Sequence, residues 1–378
     1  MSDLQFPDLD VEERDRLLAE PTGPVRVLID TDAANEIDDQ FALAWAFLAP
    51  ERLTIEAVVA EPYSFAHLQA ALAELGRALE AGDRAELDSL SDDASRWARR
   101  LEELDRRPED IDFVQPDEGM EQSYQEILRV LDRLGVCADG RVYRGAPRYL
   151  ERFDDPVDSP GVQRIIELAM SSEDEPLYIL ALGCPTNIAS ALLLEPEIVR
   201  RIVVVWTSAY PTRVSRSNRP SLNLVQDPVA SRLLYDSGVP LVYLPGYYIG
   251  AQLRLSMPEI EAYARGYGAI GDYLHELYRH NPMVGQPGGK DFFATSRVIW
   301  DIINVAWVLE PSWVPTELVP TPQLDHDLRW RPRSGPVYPL REAYAVDRDG
   351  IFRDFFGRLQ AHARTDEPHR DAATAVTD

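Results

Sequence analysis

Five short runs of apolar, largely β-branched residues recur along the chain, at Val25 to Ile29, Leu53 to Ala60, Leu177 to Leu182, Arg201 to Trp206 and Val239 to Leu244, with helical segments between them. A strand buried on both faces reads as a near-continuous hydrophobic run rather than as an alternation, and helical crossovers between such strands imply parallel pairing. The expected fold class is therefore α/β, with a mostly parallel open sheet and helices on both faces. In such sheets ligands bind beyond the carboxyl ends of the strands, so the residues that follow each run carry the functional information.

Around this rhythm the chain divides into segments. Residues 1–22 read as an N-terminal arm, with a polar helical stretch from Asp10 to Glu20 ended by Pro21 and Gly23. Residues 23–320 form the α/β domain, in which 65–115 have helical periodicity without strand signal and read as a helical insertion. Tyr124 to Leu134 has amphipathic spacing. Met257 to His280 reads as one long aromatic-bearing helix before a Pro- and Gly-rich loop, Asn281 to Lys290. A later helix carries Trp300-Asp301. Residues 321–362 form a C-terminal extension in which Pro322 to Tyr344 alternates like a hairpin, and 363–378 read as a disordered tail.

Composition narrows the classes of function. With 45% hydrophobic residues the chain can bury a substantial core, and no apolar run approaches the roughly 20 residues of a membrane span. The acidic N-terminus lacks a signal peptide's basic and apolar regions, so the expectation is a cytoplasmic protein with no membrane partner. The net charge of −26 sets the protein's own field against nucleic acid. Its basic residues are almost all Arg, Lys290 being the only lysine, and the two cysteines, Cys137 and Cys184, are too few for a disulfide framework or a thiolate metal site.

The first apolar run delivers five carboxylates within ten residues: Asp30, Asp32, Glu36, Asp38 and Asp39. Like charges so close raise each other's pKa or require a cation, and carboxylate oxygens are what a hard divalent ion prefers. Helix capping explains one or two acids at such a junction, not five.

The pattern Asp-x-Asp followed shortly by Asp-Asp after an apolar strand resembles the signature of the nucleoside hydrolases of the inosine-uridine preferring kind. Gly183-Cys184-Pro185-Thr186-Asn187-Ile188-Ala189 is similar to that family's Gly-x-x-Thr-Asn-x-Ala segment, and Asn223 to Pro228 with Gly238-Val239-Pro240 is similar to two later stretches. Asp301, at the start of an apolar helix, lies where the family places a late metal-binding Asp. The resemblance runs in order from residue 25 to 315. It implies calcium-dependent hydrolysis of the N-glycosidic bond of a ribonucleoside or related N-riboside, giving free base and ribose. Asp32, Asp39, the Leu182 carbonyl and Asp301 would ligate Ca²⁺, in preference to Mg²⁺. Asp32 would also be the general base, Asp38 and Asn223 would hold sugar hydroxyls, and Asp30 would orient its neighbours. The partner is then a small nucleoside, and the assembly a homo-oligomer, dimer or tetramer.

The sequence departs from the family at several points. Asn35-Glu36 adds two residues between Asp32 and Asp38 relative to the commonest spacing. Glu61 stands where a sugar-contacting Asn is usual and offers a hydroxyl acceptor; Ser221 replaces a Glu. Trp300 replaces a His and offers a stacking face to a base, while His280, with His275 nearby, offers a proton to a departing base. Two other functions fit parts of the pattern. One is a haloacid-dehalogenase-like Mg²⁺-dependent phosphohydrolase with Asp30 as nucleophile and Lys290 as its cation. The other is a non-catalytic, metal-stabilised riboside-binding protein.

Overall fold

The computed structural model describes residues 6–81, 107, 113–172, 175–214, 221–280, 295–335 and 337–374. Each of the five apolar runs forms a strand: β1 (Val25–Thr31), β2 (Leu53–Ala60), β4 (Leu177–Ala181), β5 (Ile202–Ser208) and β6 (Leu241–Pro245). A short strand, β3 (Val142–Arg144), pairs with β2, while β7 (Arg254–Ser256) and β8 (Ser296–Val298) form a separate antiparallel ladder. The main sheet has eight strands in the order β3-β2-β1-β4-β5-β6-β12-β9, where β9 is Thr316–Pro320 and β12 is Pro339–Ala343. Pairing is parallel throughout, except that β9 runs antiparallel to β12 at one edge. Every residue of β4, β5 and β6 is buried, so both faces of the sheet are covered. The order reverses beside β1: the chain moves from β1 outward through β2 and β3, then returns to β4 on the other side. This switch point is where an open α/β sheet leaves a crevice.

The helices are α1 (Val11–Leu17), α2 (Asp38–Phe47), α3 (Gln69–Glu80), α4 (Pro116–Arg133), α5 (Pro160–Met170), α6 (Thr186–Leu194), α7 (Leu222–Val225), α8 (Pro228–Asp236), α9 (Met257–Tyr263), α10 (Gly268–Arg279), α11 (Ile302–Leu309) and α12 (Arg348–Thr374). The N-terminal arm is docked rather than free: Asp10 and Glu13 form a capping box on α1, Leu17 is buried, and Arg14 donates to the Gly238 carbonyl at 3.0 Å.

Three expectations are corrected. The single helix from Met257 to His280 is two helices, because Gly266 and Gly268 adopt left-handed backbone (φ 79° and 75°) that ends α9 and redirects the chain. The late hairpin shrinks to a ladder of β10 (Gln323–Leu324) with β11 (Trp330–Arg331), turned at Leu328, while β12 leaves it for the main sheet. Helix α12 continues past residue 363 to Thr374, so the start of the expected tail is helical. Of the expected insertion, α3 is helical and follows a 3₁₀ turn, Ala66–Leu68; residues 82–106 and 108–112 lie outside the described set, as does the loop from Asn281 to Lys290.

The C-terminal extension has a structural purpose. Phe355 of α12 is fully buried against Phe41 and Trp45 of α2, at ring separations of 5.8 and 6.1 Å, and Asp354 accepts from the Trp45 indole at 2.8 Å. The helix that begins with Asp38 and Asp39 is thus clamped from behind. Truncating Phe355 to Ala is expected to lower unfolding stability by about 3–5 kcal/mol, as for large aromatic core deletions, measured by urea denaturation; a loss within about 0.5 kcal/mol would show that this clamp is dispensable.

Candidate active site

Strand β1 ends at the switch point with Asp30 and Thr31, and its ladder is extended on both sides. Glu61 N donates to the Thr31 carbonyl at 2.8 Å, and Leu182 N donates to the Asp30 carbonyl at 2.9 Å. Adjacent strands therefore deliver Asp30, Glu61 and Leu182 to one edge. Beyond Thr31 the chain makes a loop rather than entering α2 directly. Asn35 closes it through its backbone N to the Asp32 carbonyl at 2.8 Å and its side-chain amide to Asp32 Oδ2 at 2.9 Å; Gln40 reaches back to the Ala33 carbonyl at 2.5 Å. The additional Asn35-Glu36 pair is absorbed in this loop.

Helix α2 opens with Asp38 and Asp39, but its N-cap is Ile37, which makes no side-chain cap. Neither acid is the capping residue, and both are buried. Asp38 Oδ2 accepts from the Trp300 backbone N at 3.1 Å, Asp39 accepts from the Thr31 hydroxyl, and Asp301 sits at the N-cap of α11. Carboxylate oxygens of Asp38, Asp39 and Asp301 all lie within 4.8 Å of one another. Burial is the main force on these groups, and mutual repulsion adds to it: Asp32, Asp38 and Asp301 are driven well above the ordinary carboxylate range, and Asp39 up to about 7.

A second carboxylate group lies alongside. Asp30 Oδ1 accepts from the Asn187 amide at 2.8 Å, and the fully buried Glu61 stands within side-chain hydrogen-bonding reach of Asp30, while among the described residues no nitrogen or hydroxyl donor meets Asp30 Oδ2 or either Glu61 oxygen. Burial, opposed by the Asn187 bond, takes Asp30 up to about 7. The room for these acids comes from Gly183. A Cβ there would stand 2.2 Å from Glu61 Oε2 and 2.6 Å from Asp32 Oδ1, so no other residue fits without displacing a carboxylate. Oxygen donors alone, buried and short of positive partners, match the preferences of a hard divalent cation.

The remaining expected residues fall as follows. Leu182 and Asn223 are in contact: the Asn223 amide donates to the Leu182 carbonyl at 2.6 Å and to the Thr207 carbonyl at 3.1 Å, leaving its Oδ1 to accept. Asp32 lies within electrostatic reach of Asp39 and Asp301 but outside the tight group of three, and Asp38 joins that group. Trp300 is joined to the cluster through Asp38. His280 is half exposed at the end of α10, where its ion pair is with Glu276 at 3.5 Å, and His275 is held by Glu261 at 2.7 Å. Asp227 behaves as a cap, accepting from Ala230 N at 2.8 Å, and also from the Thr186 hydroxyl at 2.7 Å.

Sequence reasoning gave no role to Asn187 as the donor to Asp30, or to the aromatic group of Tyr210, Tyr247 and Tyr248. Tyr247 is edge-on to Trp300 at 6.0 Å and packs on Tyr210 at 4.5 Å. The available signal was Gly246-Tyr247-Tyr248 directly after the β6 run, at the sheet edge where ligands bind.

The family model for inosine-uridine preferring nucleoside hydrolases matches residues 27–350. The chain is 28% identical over 186 residues to the inosine-uridine preferring nucleoside hydrolase of Crithidia fasciculata, and 27% identical over 172 residues to a non-specific ribonucleoside hydrolase, RihC, of Shigella flexneri. These alignments cover 47% and 45% of this chain and span about half, 55%, of each relative. Among solved structures, the fold is similar to the purine-preferring ribonucleoside hydrolase from Gardnerella vaginalis, with TM-score 0.57 and 18% identity over 90% of this chain and 99% of that one.

The raised acids predict an unusual pH response. In the metal-free protein Asp30 and Asp39 keep their protons up to about 7, whereas unfolded Asp loses its proton near its ordinary value of about 4. The folded state holds more protons between these limits, so their contribution is complete on the acid side and is lost as pH rises through about 7, at up to about 1.4 kcal/mol per pH unit for each group. Melting in chelator is expected to weaken from about pH 5 to 8, and Ca²⁺ to restore stability more at the higher pH; stability that climbs with pH in chelator would contradict this.

Proposed function

Since this chain belongs to the inosine-uridine preferring nucleoside hydrolase family, we propose that it hydrolyses the N-glycosidic bond of a ribonucleoside or related N-riboside in a calcium-dependent reaction, releasing base and ribose. The observation that carries the reading is the buried group of Asp38, Asp39 and Asp301 at the switch point, bordered by Asp32, Glu61 and Asn223. Asp39, Asp301, the Leu182 carbonyl and Asp32 would hold the cation, with Asp38 beside them. Bound Ca²⁺ supplies the positive charge that lets these acids ionise and makes a neighbouring water more acidic.

The chain's own groups divide the rest of the work. Asp32 takes a proton from the attacking water: its Oδ2 is fixed by Asn35, while Oδ1 lies beside Gly183, where no side chain intrudes. Asn223 has committed its amide hydrogens to two carbonyls, so its Oδ1 and the Asp38 carboxylate accept from sugar hydroxyls. Glu61, buried beside Asp30 and Asp32 at the Gly183 turn, is a further acceptor. Asp30, tied to Asn187, steadies the end of β1 and through it Leu182. The carboxylates favour positive charge developing on the sugar ring as the bond to the base lengthens. Trp300 offers a face to the base, and His280 is retained as a contact to the leaving group. We place this activity in the cytoplasm and in a homo-oligomer, dimer or tetramer; among the described residues no helix is long and apolar enough to cross a membrane. Family membership sets aside the phosphohydrolase alternative, whose Lys290 lies outside the described residues.

Release of ribose from purine and pyrimidine ribosides, with Ca²⁺ or chelator, tests the proposal. Release is expected only with Ca²⁺, and Asp32→Ala is expected to reduce kcat by about 10²–10⁴-fold, the usual range for a lost general base. Asp301→Asn is expected to weaken Ca²⁺ binding by about tenfold or more in calorimetry. Tight Ca²⁺ binding without release from any riboside would overturn the hydrolase assignment in favour of a binding protein.

A further inference from the structure

Helix α4 brings a carboxylate to the back of the acid loop. Glu126 lies on the buried face of α4, among Ser123, Ile127 and Val130, and is only 5% exposed. A glutamate is rarely this buried unless it is paired, and its partners here come from three helices. Its Oε1 accepts from the Gln40 amide of α2 at 3.2 Å and from the Tyr273 hydroxyl of α10, and its Oε2 accepts from Arg129, one turn along α4.

Gln40 carries this contact to the site. It stands three residues after Ile37, the N-cap of α2, where in a capping box a Gln side chain reaches back to the N-cap N–H. Here it reaches further, to the Ala33 carbonyl at 2.5 Å. Residues 33–37 belong to neither β1 nor α2, so the placement of Asp32 relative to Asp38 and Asp39 rests on the few bonds made inside this loop: Asn35 to Asp32, and Gln40 to Ala33.

The Gln40 amide can face only one way. Both of its contacts use Nε2, while Oε1 is buried and finds no partner among the described residues. Turned over, Oε1 would meet the Ala33 carbonyl and the Glu126 carboxylate, two acceptors, and both bonds would become repulsions. Glu126 therefore selects the orientation in which Gln40 holds the loop. The Tyr273 hydroxyl supports the same oxygen: burial and the bond to Glu126 push it up to about 12, so it remains a donor through neutral pH.

Helix α4 also braces the neighbouring strand end. A Cβ on Gly119 would stand 2.2 Å from the Tyr63 carbonyl oxygen, so helix and chain are in direct contact two residues after Glu61, and the Tyr63 hydroxyl donates to Gln122. One helix thus touches the segments that follow β1 and β2, together with α10, which ends at His280.

We infer that Glu126 is a positioning residue: through Gln40 it fixes the Ala33 carbonyl and so the place of Asp32 in the cation site, and through Tyr273 it ties that loop to α10. This rests on the proposed hydrolase site for the roles of Asp32 and Ca²⁺, and binding and turnover test the two separately.

Glu126→Leu removes both acceptor oxygens, whereas Glu126→Gln keeps a carbonyl able to stand in for Oε1 and alters only the contact to the half-exposed Arg129. Calorimetric titration with Ca²⁺ is expected to show affinity about 10–100-fold weaker in Glu126→Leu, the range for lost support of a metal ligand, and close to wild type in Glu126→Gln. Gln40→Leu is expected to match Glu126→Leu, and the double variant to lose no more than either single change, because the two act through one contact. In ribose release at saturating Ca²⁺, kcat of Glu126→Leu is expected to fall while KM stays close to wild type, since Asn223 and Glu61 are untouched. Unchanged Ca²⁺ affinity in a folded Glu126→Leu, an equal loss in Glu126→Gln, or a double variant whose loss is the product of the single ones would each overturn the inference. If Glu126→Leu does not fold, Tyr273→Phe takes its place, with weaker Ca²⁺ binding expected and unchanged binding as the overturning result. Wild-type protein that shows this binding pattern yet cleaves no riboside would overturn the hydrolase reading and uphold the positioning role; wild-type protein that binds no Ca²⁺ would overturn both.

Discussion

Negative charge that the protein cannot neutralise by itself governs the end of β1. Asp30, Asp32, Asp38, Asp39, Glu61 and Asp301 are each at most 4% exposed, and among the described residues the nitrogen and hydroxyl donors that reach them from elsewhere in the chain are few: Asn187, Asn35, Thr31 and the Trp300 backbone. Burying an ionised carboxylate without a partner is among the largest penalties in a folded protein. Two escapes exist, protonation or a cation; the first fails as pH rises past about 7, where Asp30 and Asp39 give up their protons, and the second is what the buried oxygen donors offer.

Holding such a cluster requires a scaffold whose stability is generated elsewhere. The wholly apolar strands β4, β5 and β6 provide part of it, since hydrophobic burial is proportional to area and indifferent to what lies at the strand ends. The clamp of α12 on α2 provides another part, because Phe355 packs on Phe41 and Trp45 behind the turn that carries Asp38 and Asp39. Gly183 shows the opposite economy: at this position the side chain is omitted so that Glu61 and Asp32 can approach.

How much of this was legible in the sequence follows from the range of the interactions. The five core strands are visible because burial on both faces writes itself as contiguous apolar residues, and Asp301 is visible because it abuts an apolar helix. The strands β3 and β9 were not visible: β3 is only three residues long, and β9, at the sheet edge, exposes Glu317 and Leu318 to solvent, so no apolar run marks it; β12 fell within the stretch expected as a hairpin but pairs with β6 and β9 instead. The break between α9 and α10 was hidden because a helical apolar period continues across Gly266 and Gly268, whose left-handed backbone leaves no periodic trace. Within the site, Asp30 and Asp38 announce themselves by crowding along the chain. Asn187, 157 residues from the carboxylate it serves, and Tyr210 with Tyr247 become neighbours only through the sheet order.

The two halves of the site rest on different kinds of support, and this bears on what each can do. The carboxylate half stands on strand ends and helix starts, where the parallel register fixes Asp30, Glu61 and Leu182 through backbone bonds, so their relative positions change only if the sheet does. The aromatic half stands on the connections after β5 and β6, where Tyr248 persists in an unfavourable conformation because Tyr210 and Tyr247 are pinned on either side of it. A strained segment held by a few hydrogen bonds is easier to displace than a sheet edge. The carboxylate half is thus set by the fold, while the aromatic half is set by a local balance in which Trp300 is bonded to Asp38 on one side and packed edge-on with Tyr247 on the other.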